Sequence, residues 1–141
     1  MLEALMVDGR VTWSDLATRF DLSSPAIRDR IRRLEKRGII HGYRVVIDPV
    51  QIGYDITAFV AVVLEHPRYR QGFLDYVQAA PSIQECHHVA GEGDYLLKVR
   101  CTKMADLENL LSEEIKGLPG VSQTKTSIVL STVKETTALA V

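Results

Sequence analysis

Ser23-Ser24-Pro25-Ala26-Ile27-Arg28-Asp29-Arg30-Ile31-Arg32-Arg33-Leu34-Glu35-Lys36-Arg37-Gly38 reads as one helix with both of its ends marked. Ser23 or Ser24 can accept from the unpaired N–H groups of the first turn, and Pro25 suits that turn because it has no N–H to leave unpaired. Gly38 stops the helix by adopting the left-handed backbone that other residues resist. Between these marks Ile27, Ile31 and Leu34 fall at i, i+4 and i+7, a single apolar stripe. Pro25, Arg28, Asp29, Arg32 and Lys36 turn away from it. From Arg28 to Arg37 six basic residues face only Asp29 and Glu35. A helix anchored along one side and cationic along the other has the shape of a major-groove reader. A solvated charge run on an ordinary amphipathic helix has the same composition, so the preceding segment has to decide.

That segment supplies the rest of a motif. Met1–Val7 is short and apolar, with Leu2, Leu5 and Met6 as its stripe, and Asp8-Gly9 ends it in a turn. Thr12-Trp13-Ser14-Asp15 is a capping box with Asp in place of the commoner Glu, opening a helix that runs to Phe20. Leu16, Ala17 and Phe20 form its buried face. Asp21-Leu22-Ser23 turns tightly into the basic helix. Two short helices, a tight turn and a basic second helix make a helix-turn-helix.

After Gly38 the pattern becomes that of a strand, Ile39 to Ile47, ending at Asp48-Pro49. It is either a wing or a hinge; the boundary character of Pro49–Gly53 favours a hinge. Residues 54–136 then alternate. Ile56–Glu65 is a strand apolar on both faces, which predicts cover on both sides of its sheet. Arg70–Ala79 is a helix with Phe73, Leu74 and Val77 inward. Ile83–Ala90 and Tyr95–Cys101 are strands joined by the turn Gly91-Glu92-Gly93-Asp94. Met104–Leu118 is a helix with Met104, Leu107, Leu110, Leu111 and Ile115 on its core face, and Val121–Val133 is a long last strand. The order β-α-β-β-α-β is ferredoxin-like. The reading is therefore α+β: a helix-turn-helix domain with its hinge strand at 1–48, and a ferredoxin-like domain for sensing and oligomerisation at 54–136. Two helices cover one face of a sheet; a second copy of the same sheet is the simplest cover for the other, giving a two-fold dimer. Such a dimer carries two reading helices for two half-sites.

Composition agrees. The chain has 141 residues, 46% hydrophobic and 25% charged, an ordinary globular balance with net charge −1. Residues 1–48 hold nine Lys/Arg against seven Asp/Glu, or +2, and residues 49–141 hold eight against eleven, or −3. The basic excess lies where the reading helix does. Two cysteines, Cys86 and Cys101, make no disulfide framework, and no apolar run reaches the roughly 20 residues that span a bilayer, so the expected compartment is the cytoplasm, with no membrane partner. Cys86-His87-His88 suggests a metal, but neighbours in a strand point to opposite faces, and the two that remain are too few for a closed zinc site. No nucleophile–base pair, phosphate loop or metal motif is present, so catalytic and metal-binding residues are expected to be none, and no cofactor is expected.

The order and spacing of short matches along nearly the whole chain resemble the Lrp/AsnC family of feast/famine transcriptional regulators. They are Asp8-Gly9-Arg10-Val11, Leu16-Ala17, Leu22-Ser23, Arg32-Arg33-Leu34-Glu35, Gly38-Ile39-Ile40 and Gly42-Tyr43. In the second half they are Glu85-Cys86, Gly91, Asp94 to Val99, Leu118 to Val121, Thr126 to Leu130 and Val133-Lys134. The family usually has a longer segment before its first helix, so Met1–Val7 reads as a shortened one. The resemblance implies a helix-turn-helix head, a β hinge, an amino-acid-sensing domain, and dimers that join into octamers or similar rings with the amino acid near the junction between dimers. Two rivals share this architecture: a sirohaem-decarboxylase-like enzyme, and an amino-acid-binding module whose DNA-binding head is vestigial. The basic helix and its caps speak against the enzyme, which has no use for a groove-reading face; the module would bind ligand but no DNA.

For double-stranded DNA the expected contacts are Ser23, Ser24 and Pro25 at the helix start, then Arg28, Arg32 and Asp29, with Arg33 and Arg37 reaching phosphates. Arg30 lies nearer the buried edge and is expected to serve the scaffold. For an amino-acid effector they are Gly91, Glu92, Gly93 and Asp94, whose turn can present N–H groups to a carboxylate and a carboxylate to an ammonium group, with Thr124 and Thr126 from the last strand.

Overall fold

The computed structural model describes all 141 residues. The chain divides into two compact units: residues 1–47 with 134–141, and residues 48–133.

The first unit holds α1 (Leu2–Val7), α2 (Trp13–Phe20) and α3 (Ser24–Lys36). Thr12 caps α2, its Oγ1 accepting from the Asp15 N–H at 3.1 Å, and Ser23, rather than Ser24, caps α3 by accepting from the Ala26 N–H at 3.3 Å. Asp21 carries the corner between the two helices in left-handed backbone, φ 52°. Gly38, φ 68°, closes α3, and the N–H groups of Ile39 and Ile40 both return to the Leu34 carbonyl. Ala4, Leu16, Ala17, Ile27 and Ile31 are the buried core, with Phe20, Leu22 and Ile40 packed around it. The face of α1 differs from the expected one: Ala4 and Leu5 turn inward, while Met6 is exposed. Leu34 is half-buried, so Ile27 and Ile31 are the main anchors of α3.

The segment expected as a hinge strand is not one. Gly42–Asp48 forms no ladder, and Val45 and Val46 are 86% and 95% exposed. A strand exists only against a partner, and none stands beside this segment within the chain.

The second unit is a four-stranded antiparallel sheet in the order β2-β3-β1-β4. Its strands are β1 (Ile56–Leu64), β2 (Ile83–His88), β3 (Tyr95–Cys101) and β4 (Val121–Ile128); α4 (Arg70–Ala79) and α5 (Met104–Asn109) connect them. The helix after β3 changes character midway, continuing from Leu110 to Ile115 as a π-helical stretch. Met104, expected on its core face, is 54% exposed, because it opens the helix beyond the covered part of the sheet; Leu107, Leu110 and Ile115 are buried. Ala58, Val60 and Val62 of β1, with Tyr95, Leu97 and Val99 of β3, pack beneath Phe73, Val77 and the second helix. β4 ends at Ile128, short of the expected Val133. Its last tie is the Val129 N–H to the Thr57 carbonyl, and β1 begins one residue earlier, so no ladder remains to extend it.

Within the second unit, the turn at Gly120 is packed tightly against Tyr69. The Gly120 φ is 82°, and a Cβ there would lie 2.1 Å from the Tyr69 ring. Gly120→Ala therefore combines a left-handed backbone with overpacking, a loss of about 2 kcal/mol. The urea midpoint should fall with the slope of the transition unchanged.

Candidate functional site

On α3 the core takes one side and the basic residues the other, because helical side chains recur every 3.6 residues. Ile27 and Ile31 are at most 2% exposed, whereas Arg28, Arg32 and Lys36, at i, i+4 and i+8, are all exposed. Ser23 and Pro25 are exposed at the start of the helix, and Ser24 is half-buried there. Arg28 and Arg32 have no ion pair, while Arg33 closes on Asp29 at 2.7 Å, both ends well exposed. An exposed i,i+4 pair contributes little and opens readily to a phosphate. Arg37 is exposed at the end of the helix. Arg30 is exposed as well and makes no ion pair, so the expected scaffold role finds no partner. Tyr43 donates its hydroxyl proton to Glu35 at 3.2 Å; partial burial and that carboxylate push the phenol up. The motif's eight expected residues thus lie on one helix with its cap, and Arg28, Arg32 and Arg37 among them are uncommitted cations.

The second unit is arranged differently. The turn between β2 and β3 folds against the end of β1: the Asp94 N–H donates to the Val62 carbonyl at 2.9 Å, and Asp94 Oδ2 accepts from the Leu64 N–H at 2.7 Å. Asp94 is half-buried, and its Oδ1 takes no hydrogen bond from the chain. Gly93 permits this approach, since a Cβ there would lie 3.3 Å from the Val62 carbonyl oxygen. Gly91 is open to solvent, and Glu92 pairs with Lys125 at 3.0 Å, so Lys125 holds its carboxyl below the usual range.

Thr124 stands opposite Val62 and Thr126 opposite Val60, which places both on the helix-covered face. Lys125, and Glu92 with it, lie on the other. The six expected effector residues are therefore not one cluster. Asp94 and Thr124 flank Val62 from two sides; Thr126 is a pair further along, and Glu92 is across the sheet.

The face without helices carries Thr57, Phe59, Ala61 and Val63 of β1, with Leu96, Lys98 and Arg100 of β3. Phe59 is 38% exposed in its middle. At one side Glu85 bridges His87 and Lys98, each at 3.2 Å, and these contacts hold its carboxyl below the usual range. Cys86 and His88 share the opposite face, pairing with Leu97 and Tyr95. Burial pushes the Cys86 thiol up, away from the thiolate that binds metal, and no three His, Cys, Asp or Glu residues come close enough to share an ion.

Sequence reasoning did not find a notch of about 120 Å³ beside the Asp94 turn, lined by Leu64, His66, Arg70, His88, Asp94 and Tyr95. These come from four separate segments, and only the tertiary fold gathers them.

With both units described, their relatives can be compared. The family description "Lrp/AsnC ligand binding domain" matches residues 57–139, and "Winged helix-turn-helix DNA-binding" matches residues 1–41. The chain belongs to the Lrp/AsnC family of transcriptional regulators. Among its Lrp/AsnC relatives it is 40% identical to the proline dehydrogenase transcriptional activator of Rhizobium radiobacter, over 96% of this chain and 88% of that protein. It is 37% identical to the leucine-responsive regulatory protein of Escherichia coli K12, over 100% of this chain and 87% of that one. A Neisseria meningitidis transcriptional regulator solved with L-methionine superposes with a TM-score of 0.94 at 29% identity, covering 99% of this chain and 91% of the other. The Lrp/AsnC assignment carries the helix-turn-helix head and the ligand-binding body together.

Proposed function

We propose that this Lrp/AsnC regulator binds double-stranded DNA in the cytoplasm as a symmetric dimer, and that a free amino acid changes its assembly and so its hold on DNA. No catalytic step or cofactor enters this reading. The observation that carries it is α3: capped, clamped by Ile27 and Ile31, and presenting Arg28 and Arg32 without partners. Arg28 and Arg32 meet guanine edges, each able to span two acceptors; Ser24 and Asp29 assist, Ser23 and Pro25 approach the backbone, and Arg33 and Arg37 take phosphates. Selection of bound fragments from random DNA should yield a pseudo-palindrome with half-sites one helical turn, or a multiple of it, apart. A pool with no enrichment over input sequence would refute specific reading.

For the second half, the helix-free sheet face around Phe59 is the dimer surface, and dimers join into octamers or similar rings. The effector sits at the Gly91–Asp94 turn, with Thr124 nearer to it than Thr126. A ligand at a junction between dimers shifts assembly only through its different affinity for the two states. Thermal unfolding with each of the twenty amino acids tests the effector. At a hundred times its dissociation constant a ligand stabilises by about 2.7 kcal/mol, a rise in Tm of about 9 °C. Twenty flat traces would remove the amino acid from the proposal.

A further inference from the structure

We infer that Tyr43 is a positioning residue: its hydrogen bond to Glu35 pins the outgoing chain to the end of α3 and so limits how far apart two reading helices can be set. This rests on the reading of DNA by a dimer proposed above. It adds to that reading the contact that sets the spacing of half-sites.

One carboxylate on α3 has an unexpected partner. Glu35 lies on a helix crowded with arginines, Arg32 among them one turn earlier, yet it forms no ion pair. Its Oε1 accepts instead from the Tyr43 hydroxyl at 3.2 Å, eight residues along the chain. The Tyr43 ring is 48% exposed, so about half of it is covered. Burial and the Glu35 carboxylate both push the phenol up, and the hydroxyl keeps the proton it donates throughout the neutral range.

On either side of Tyr43 the chain is held differently. Before it, the N–H groups of Ile39 and Ile40 return to the Leu34 carbonyl, and Ile40 packs on the core of the first unit. After it, residues 44–47 are exposed and pair with no strand. The chain is next fixed at Asp48, where the second unit begins and where the side chain accepts from the Val50 N–H at 3.0 Å. With the Tyr43 bond made, the free stretch is the four residues 44–47; with it broken, the stretch runs back to His41 and counts seven. An extended chain spans at most about 3.6 Å per residue, so the bond takes about 11 Å of reach from each head. Five base pairs inserted between two half-sites part them by about 17 Å along the duplex and turn them by about half a helical turn. Two heads released at Tyr43 regain about 22 Å between them, enough to follow that shift. Heads that keep the bond lack this reach. Tyr43 acts through the chain it holds, and each single half-site is read by α3 alone.

Fluorescence anisotropy of the full chain on three duplexes tests this: one selected half-site, two at the selected spacing, and two with five base pairs inserted between them. The unaltered protein should prefer the selected spacing to the inserted one at least tenfold, because linked heads gain about 10²–10⁴ only where both can engage. Tyr43→Phe removes the hydroxyl and keeps the ring. It should cut that preference at least threefold, with affinity for the single half-site within twofold and an unchanged unfolding midpoint. Glu35→Ala should cut the preference as far, since the charge it removes acts on both spacings alike. The double variant should go no lower than either single one, because both remove the same bond. A preference in the unaltered protein below tenfold, a fall in Y43F of less than threefold, a loss in Y43F of more than twofold on the single half-site, or a double variant whose loss is the product of the two singles, overturns the role of Tyr43 and leaves the DNA reading standing. No binding of any duplex by the unaltered protein overturns both.

Discussion

Arg28→Ala and Arg32→Ala should each weaken binding of a selected duplex by roughly tenfold or more, and the double variant by about a hundredfold or more. A good bidentate contact to a base contributes about 1–3 kcal/mol of discrimination, and 1.4 kcal/mol is a factor of ten. Both side chains are exposed and unpaired, so their loss should leave the unfolding midpoint where it was. Gel shift or fluorescence anisotropy at matched salt reads the effect. Arg37→Ala should behave differently: it should weaken all duplexes alike and lower the slope of log affinity against log salt by about one. Variants at Arg28 and Arg32 that bind as the unaltered protein does would show that α3 is not the reader.

Phe59→Glu should convert the proposed dimer to protomers of 15.8 kDa and remove tight binding to a two-half-site duplex. Phe59 sits in the middle of the face that no helix covers, 38% exposed, beside Ala61, Val63 and Leu96. Lys98, the cross-strand neighbour of Phe59, already pairs with Glu85, so a second carboxylate there is poorly compensated when another sheet closes over it, and burying such a charge costs several kcal/mol. Two linked reading heads gain about 10²–10⁴ in avidity over one, so that factor disappears with the dimer. Sedimentation velocity gives the mass and anisotropy gives the affinity. A protein still dimeric after this substitution would move the interface elsewhere.

The two effects differ in origin, and so does their legibility in the sequence. The reading helix is a local object: its serine cap, its glycine stop and the 3.6-residue spacing of Ile27 and Ile31 are all neighbours in the chain. The sheet was legible for a related reason. Alternation along Tyr95–Cys101 and the doubly apolar β1 announce strands whose helix-covered face is set by the two connecting helices. Errors fell where a partner was needed. The hinge segment and the end of β4 have the composition of strands, and they pair with nothing in the chain, because strand hydrogen bonds are made between segments and not within one.

What the sequence by itself determined is the order of elements, the capped basic helix and the glycine turn at 91–94. Tertiary structure alone decided that Thr124 and Thr126 face the helices while Glu92 crosses to the open face with Lys125, since a side chain's face depends on the register of its strand. It alone also gathered His66, Arg70, His88 and Asp94 around one hollow. Spacing along a chain predicts neighbours within a helix turn or a hairpin. It carries no information about which strand end, helix start and turn close on each other when the sheet assembles.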